Sequence, residues 1–254
     1  MLPVGDDDSD IQIFPIINYI LIAINILVFI VYQNLGSNLE FTYSYAAVPA
    51  EIVSGHDIVT DPVWVDDPIT GQQVQIPGLG RTLIPVWLTI ITSMFMHGGF
   101  GHLGGNMLYL WVFGDNLEDK LGHFRFLLFY LLCGIIATLT HVSSDYIFGE
   151  NHFIPSLGAS GAISGVMGGY LFLFPTRRIT VFFIFTFLRV PAFIVLGLWI
   201  LLQIANGSGY LGGSEASGIA YAAHIGGFIA GVLLVKKFIR KEKAYVLKKS
   251  AWKM

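Results

Sequence analysis

The chain has a single cysteine, Cys133, in 254 residues, which excludes an internal disulfide and any multi-cysteine metal site. Charge is scarce too. Only 12% of residues are Asp, Glu, Lys or Arg, against roughly 25% in ordinary soluble domains. The basic residues cluster in particular loops and do not pave a surface, so nucleic acid is not an expected partner. The first fourteen residues lack the positive leader of a secretory signal. They carry Asp6, Asp7, Asp8 and Asp10 instead and read as a short, solvated, acidic tail.

Apolar sequence fills the space that charge leaves. The composition is 54% hydrophobic and 14% aromatic, mean hydropathy is +0.68, and several runs approach the roughly 20 residues that cross a bilayer. The pattern predicts an all-α membrane protein with six spans, at about 15–32, 100–117, 124–142, 158–174, 191–205 and 219–235. Residues 33–86 hold Pro49, Pro62, Pro68 and Pro77 with several glycines and form a long first loop, too rich in breakers to span. The run 83–96 has the length of a re-entrant or interfacial element. The stretch 179–188 is apolar, β-branched and aromatic, and its periodicity decides neither helix nor strand.

Lys and Arg set the expected orientation. Lys120 and Arg125 follow the second span, Arg177, Arg178 and Arg189 follow the fourth, and eight more follow the sixth, while Arg81 alone lies in a loop on the other side. The positive-inside rule then predicts a multi-pass protein of the cell membrane with both termini cytoplasmic and the loops 33–86, 143–157 and 206–218 outside. The expected division is an acidic cytoplasmic tail over 1–14, a membrane domain over 15–235 and a basic cytoplasmic tail over 236–254.

Polar side chains at membrane depth are costly and mark candidate sites. His102 and Asn106 stand four apart on one helix face, His224 lies about one turn into the sixth span, and Ser160 opens the fourth within Gly158-Ala159-Ser160-Gly161. The predicted topology puts all four near the outer surface. Gly161, Gly165 and Gly169 recur every four residues, as do Ala223, Gly227 and Gly231. Such ridges let helix backbones approach closely, which would bring His224 within the roughly 2.6–3.2 Å that proton transfer needs.

Two chemistries and a structural alternative fit these residues. A serine activated by a neutral imidazole attacks a carbonyl, and His102, Asn106 and the Ser160 N–H can hold the oxyanion. No Asp or Glu lies in the fourth or sixth span, so the expected arrangement is a dyad. Alternatively, the small residues form only a packing ridge and His102 with Asn106 only an interhelical bond. His97, His102 and His224 are also possible metal ligands, although no carboxylate or thiolate is placed to complete such a site. Ser164, one turn deeper than Ser160, is the rival nucleophile and is expected to pack the helix.

Together the three ordered motifs resemble the rhomboid family of intramembrane serine proteases. Further likeness lies in the segments 92–99 and 110–119, and the whole covers nearly all of 15–235. The resemblance implies a six-helix rhomboid-like bundle, Ser160 as nucleophile, His224 as base, His102 and Asn106 as oxyanion donors, no cofactor, and His97 as a structural neighbour of the site. It also implies a lipid bilayer and transmembrane protein substrates as partners, a loop 33–86 lying partly in the outer leaflet, and a loop 206–218 capping the site. It leaves the oligomeric state undefined. The alternative within the same resemblance is a catalytically silent relative that binds transmembrane clients, and a small-solute transporter is disfavoured because the spans show no inverted repeat. Two departures matter. Many members carry a Trp-Arg pair where this chain has Trp87-Leu88, and many place a tyrosine stacking on the histidine where this chain has Ser164, so the resemblance assigns nothing to hold the His224 ring.

Overall fold

The computed structural model describes residues 2–66, 71–148, 152–208 and 220–240. In chain order the helices are α1 (Ile16–Leu27, continued by a π-helical turn Val28–Tyr32), α2 (Leu39–Tyr45), α3 (Pro49–Ser54), α4 (Thr89–Thr92), α5 (Phe100–Leu121), α6 (His123–Phe148), α7 (Ser160–Leu173), α8 (Ala192–Gly207) and α9 (Tyr221–Phe238). The described residues also form five short strands: β1 (Leu2–Gly5), β2 (Val63–Asp66), β3 (Gln73–Ile76), β4 (Arg178–Phe183) and β5 (Thr186–Pro191). The architecture is a helical bundle with two small sheets added. By length and composition α6 and α9 are long and apolar enough to cross a membrane, and α1 with its π turn, α7 and α8 are shorter apolar helices.

The centre is α7, packed between α6 and α9. Every residue from Gly161 to Tyr170 is buried, and the glycine ridges explain how. A Cβ on Gly227 would lie 2.1 Å from the Gly161 carbonyl oxygen, and one on Gly231 would lie 2.0 Å from that of Gly165. Against α6, a Cβ on Gly161 would meet Ala137 Cβ at 2.7 Å and one on Gly165 would meet Cys133 Cβ at 2.4 Å. Backbone therefore touches backbone between α7 and α9, as the four-residue repeats predict.

The stretch 179–188 is the β4–β5 hairpin. Phe183 pairs with Thr186, so the turn is Ile184-Phe185, with φ of 44° and 66°. Such two-residue turns usually carry Asn-Gly or Asp-Gly, and left-handed backbone costs other residues on the order of 1–2 kcal/mol each. Ile179 and Val181 on β4 are fully buried beneath the bundle.

The expected acidic tail is docked as a strap in which Asp6 is partly buried while Asp7, Asp8 and Asp10 stay exposed to solvent. Residues 2–5 form β1, antiparallel to β4, and the aspartates that follow have partners. Tyr170 at the far end of α7 donates its hydroxyl to Asp6. The Asn116 amide donates to Asp6 at 2.9 Å and to Asp8 at 3.1 Å. Arg177 donates to Asp10 Oδ2 at 3.0 Å, to the Asp7 carbonyl at 2.9 Å and to the Asn116 side-chain oxygen. Burial first, then the neighbouring Asp8 and Asp115 carboxylates, push the Asp6 carboxyl up to about 8. A few residues on, the buried Glu118 carboxylate accepts the N–H groups of Ile17 (3.0 Å) and Asn18 (2.7 Å). It thereby caps α1, whose first N–H groups have no partner inside the helix.

The long first loop is folded against the opposite end. Asn38 caps α2 by accepting the Phe41 N–H at 3.1 Å, and β2 pairs with β3. Val86–Phe95 is a broken helix of 3-10, α and 3-10 turns with Val86, Ile90 and Met94 buried. Trp87 is exposed. The loop and the broken helix then tie down the approach to α7 through backbone bonds: Ala50 N–H to His152 O (3.0 Å), Ala47 N–H to Ser156 O (3.0 Å), Ser156 N–H to Ala47 O (2.8 Å) and Gly158 N–H to Ser93 O (2.9 Å). Most of 206–218, and the basic tail from 241 onward, lie outside the described residues.

Candidate active site

Ser160 is the first residue of α7, and His224 lies in the first turn of α9. Close packing of these two helices brings Ser160 Oγ to 2.8 Å from His224 Nε2. Ala159, which precedes the helix, offers no side-chain cap. Among the described residues the first N–H groups of α7, with the positive end of its dipole, therefore have no capping side chain beside the Ser160 hydroxyl.

On α5, His102 and Asn106 line the same cavity as Ser160 and His224. The Gly98 N–H points at His102 Nδ1 at 3.3 Å. An imidazole nitrogen that accepts leaves its partner nitrogen to carry the hydrogen, so Nε2 of His102 is the donor. Gly158 shows where that donor lies. Its φ is +123°, and a Cβ there would sit 2.8 Å from His102 Nε2 and 3.7 Å from Ser160 Oγ. The glycine keeps open a space between nucleophile and donor. Asn106 Nδ2 is buried and has no partner among the described residues, an orphan donor of the kind that native structures seldom leave without a use.

The cavity measures about 790 Å³ and runs from these residues past Ser164, Met167 and Trp199 to Leu39, Tyr43, Ile154 and Pro155 of the loops. His97 is fully buried and meets the His102 ring edge-on with centroids 5.1 Å apart. Gln33 fixes the segment before it: its amide donates to the His97 carbonyl and accepts the His97 N–H, both at 2.9 Å. Ser164 donates its hydroxyl to the Ser160 carbonyl at 2.6 Å and is fully buried, so it braces the turn that carries Ser160.

All four residues singled out from the sequence thus meet in one place. Two that the sequence did not single out stand beside them. Gln203 Oε1 lies 2.8 Å from His224 Nδ1, and the Trp199 ring lies 5.9 Å from the His224 ring at an interplanar angle of 37°. Both come from α8, one turn apart, and they supply what the resemblance left unassigned. The legible signal is a glutamine near the end of the fifth apolar run.

Comparison with known proteins agrees with this geometry. The family model described as Rhomboid domain matches residues 85–241, more than half of the chain. Rhomboid protein 1, mitochondrial, of Saccharomyces cerevisiae is 36% identical over 160 residues, which covers 61% of this chain and 44% of that protein. Rhomboid protease GluP of Bacillus subtilis is 34% identical over 145 residues, covering 57% of this chain and 25% of GluP. Rhomboid-like protein 11, chloroplastic, of Arabidopsis thaliana is 29% identical over 159 residues, covering 59% and 52%. The chain spans between a quarter and about half the length of these relatives.

Proposed function

This chain belongs to the rhomboid family, and on that premise we propose that it is an intramembrane serine endopeptidase that cleaves transmembrane segments of other membrane proteins. The observation that carries the proposal is the 2.8 Å contact between Ser160 Oγ and His224 Nε2, made between two closely packed apolar helices. His224 accepts the Ser160 proton as Oγ attacks a peptide carbonyl. The developing oxyanion takes the space beside Gly158, where His102 Nε2–H, Asn106 Nδ2–H and the Ser160 N–H donate to it. Donors fixed in advance on a charge that exists only in the transition state are worth about 3–4 kcal/mol each. The imidazolium then protonates the leaving amine, and water admitted through the cavity hydrolyses the acyl-enzyme by the same steps in reverse.

In this reading six spans cross the membrane, namely α1 with its π turn and α5 through α9, with both termini cytoplasmic and the serine near the outer surface. The distribution of Lys and Arg supports that orientation. The cavity is lined in part by residues of the loops 33–86 and 143–157, which suits a substrate entering near the outer end of its own transmembrane segment. The bilayer is the working medium.

Labelling of the purified protein with a fluorophosphonate probe tests the proposal. Labelling is expected in the wild type and in Ser160→Ala is expected to vanish, while Ser164→Ala retains it. Equal labelling of all three overturns it.

A further inference from the structure

We infer that Gln203 on α8 is the third member of the catalytic array, a positioning residue that holds His224 in the tautomer able to take the Ser160 proton. The inference rests on the serine-protease reading of the site and goes beyond its two-residue form.

A neutral imidazole has one N–H and one lone pair. General base catalysis at Ser160 requires the lone pair on Nε2 and the hydrogen on Nδ1. At Nδ1 stands Gln203 Oε1, 2.8 Å away, and an amide oxygen only accepts. The hydrogen is thereby held on Nδ1, and Nε2 is presented to Ser160 Oγ, also at 2.8 Å. The three side chains form one continuous line of hydrogen bonds from α7 through α9 to α8.

Among the described residues no carboxylate takes this place. The fourth and sixth apolar runs contain no Asp or Glu, and Asp145, an acid on the cavity wall, is engaged with His152 Nδ1 at 2.6 Å. The choice of an amide has a physical reason. A carboxylate beside a neutral imidazole would be an uncompensated charge at membrane depth through the resting state, which is costly. An amide dipole imposes the same tautomer without that charge and still stabilises the imidazolium once it forms. Trp199, one turn earlier on the same face of α8, lies against both the His224 and the Phe228 rings. It limits rotation of the imidazole away from the line.

The test uses the full chain reconstituted in liposomes, with Gln203→Ala and Gln203→Glu compared to the wild type. The rates measured are those of fluorophosphonate labelling and of cleavage of a model transmembrane substrate across pH. Loss of a bond to an imidazolium corresponds to about 10- to 100-fold. Gln203→Ala is therefore expected to lose that factor in kcat and in labelling rate, with KM changed less than about twofold, because the bond strengthens only when charge develops. Gln203→Glu keeps the acceptor. It is expected to recover most of the rate and to move the acidic limb of the profile to higher pH, because a carboxylate favours the imidazolium. A merely structural role moves neither the limb nor the split between kcat and KM. Wild-type rates in Gln203→Ala overturn the inference, as does a Gln203→Glu variant no faster than alanine with an unshifted profile; should the alanine variant fail to fold, the glutamate profile decides alone. Failure of the wild type itself to label refutes the serine-protease reading, an outcome distinct from any confined to position 203.

Discussion

The contact between α7 and α9 sets the distance on which the proposed chemistry depends, and Gly227→Ala probes it. A Cβ at 227 would lie 2.1 Å from the Gly161 carbonyl oxygen, where about 3.0 Å is the least that real structures show. The helices must part by about 1 Å. Gly161 follows Ser160 directly and Gly227 lies one turn beyond His224, so the separation occurs at the level of the reacting pair. Most of it adds to the 2.8 Å between Oγ and Nε2 and carries the pair beyond the roughly 2.6–3.2 Å reach of proton transfer. A displacement of this size costs about 100-fold in rate, and the forced repacking about 1–3 kcal/mol in stability. Fluorophosphonate labelling rates on folded protein in detergent, with thermal unfolding measured in parallel, check both figures. Gly197 on α8, where a Cβ would meet nothing within 4 Å, is the control, and Gly197→Ala is expected to label at the wild-type rate. A folded Gly227→Ala that labels as fast as the wild type refutes the claim that this glycine contact sets the Ser160–His224 distance.

Three further outcomes are expected. Asn106→Ala should lower kcat by about 100- to 1000-fold with KM little changed, because its orphan amide has its partner only in the transition state; unchanged turnover removes it from the site. The Asp6 carboxyl, raised to about 8 in the fold from near 4 when unfolded, holds its proton more tightly in the native state. Its contribution is complete below about pH 4 and is lost as pH rises towards and through 8, so thermal stability should fall between pH 6 and pH 9, and Asp6→Asn should flatten that slope. EDTA should leave cleavage unchanged, since the proposed chemistry uses no metal; inhibition would revive the metal-ligand alternative for the histidines.

Local chemistry made part of this molecule legible in the sequence. Each long helix announces itself as an apolar run, and Gly161, Gly165, Gly227 and Gly231 announce their contacts by a four-residue repeat. Ser160, His224, His102 and Asn106 stand out because polar groups at membrane depth are few. Features that depend on distant partners stayed hidden. The stretch 179–188 lacks the Asn-Gly or Asp-Gly of a hairpin, since its turn is Ile184-Phe185. Asp6 looks solvated until Tyr170 and Asn116 are placed around it. Gln203 was overlooked because nothing in its spacing ties it to residue 224, although the rule that flags Asn106 applies equally to it.

The docked strap also bears on how the chain assembles. Its first strand pairs with β4, and the cap on the first helix is the carboxylate of Glu118, one hundred residues beyond the Asn18 N–H that it accepts. During synthesis, therefore, β1 waits while some 170 further residues are made before its partner exists. Contacts of such separation form late. The strap closes over the far end of the serine helix only after α7 is made, so residues synthesised long before their partners are among the last to reach their native contacts.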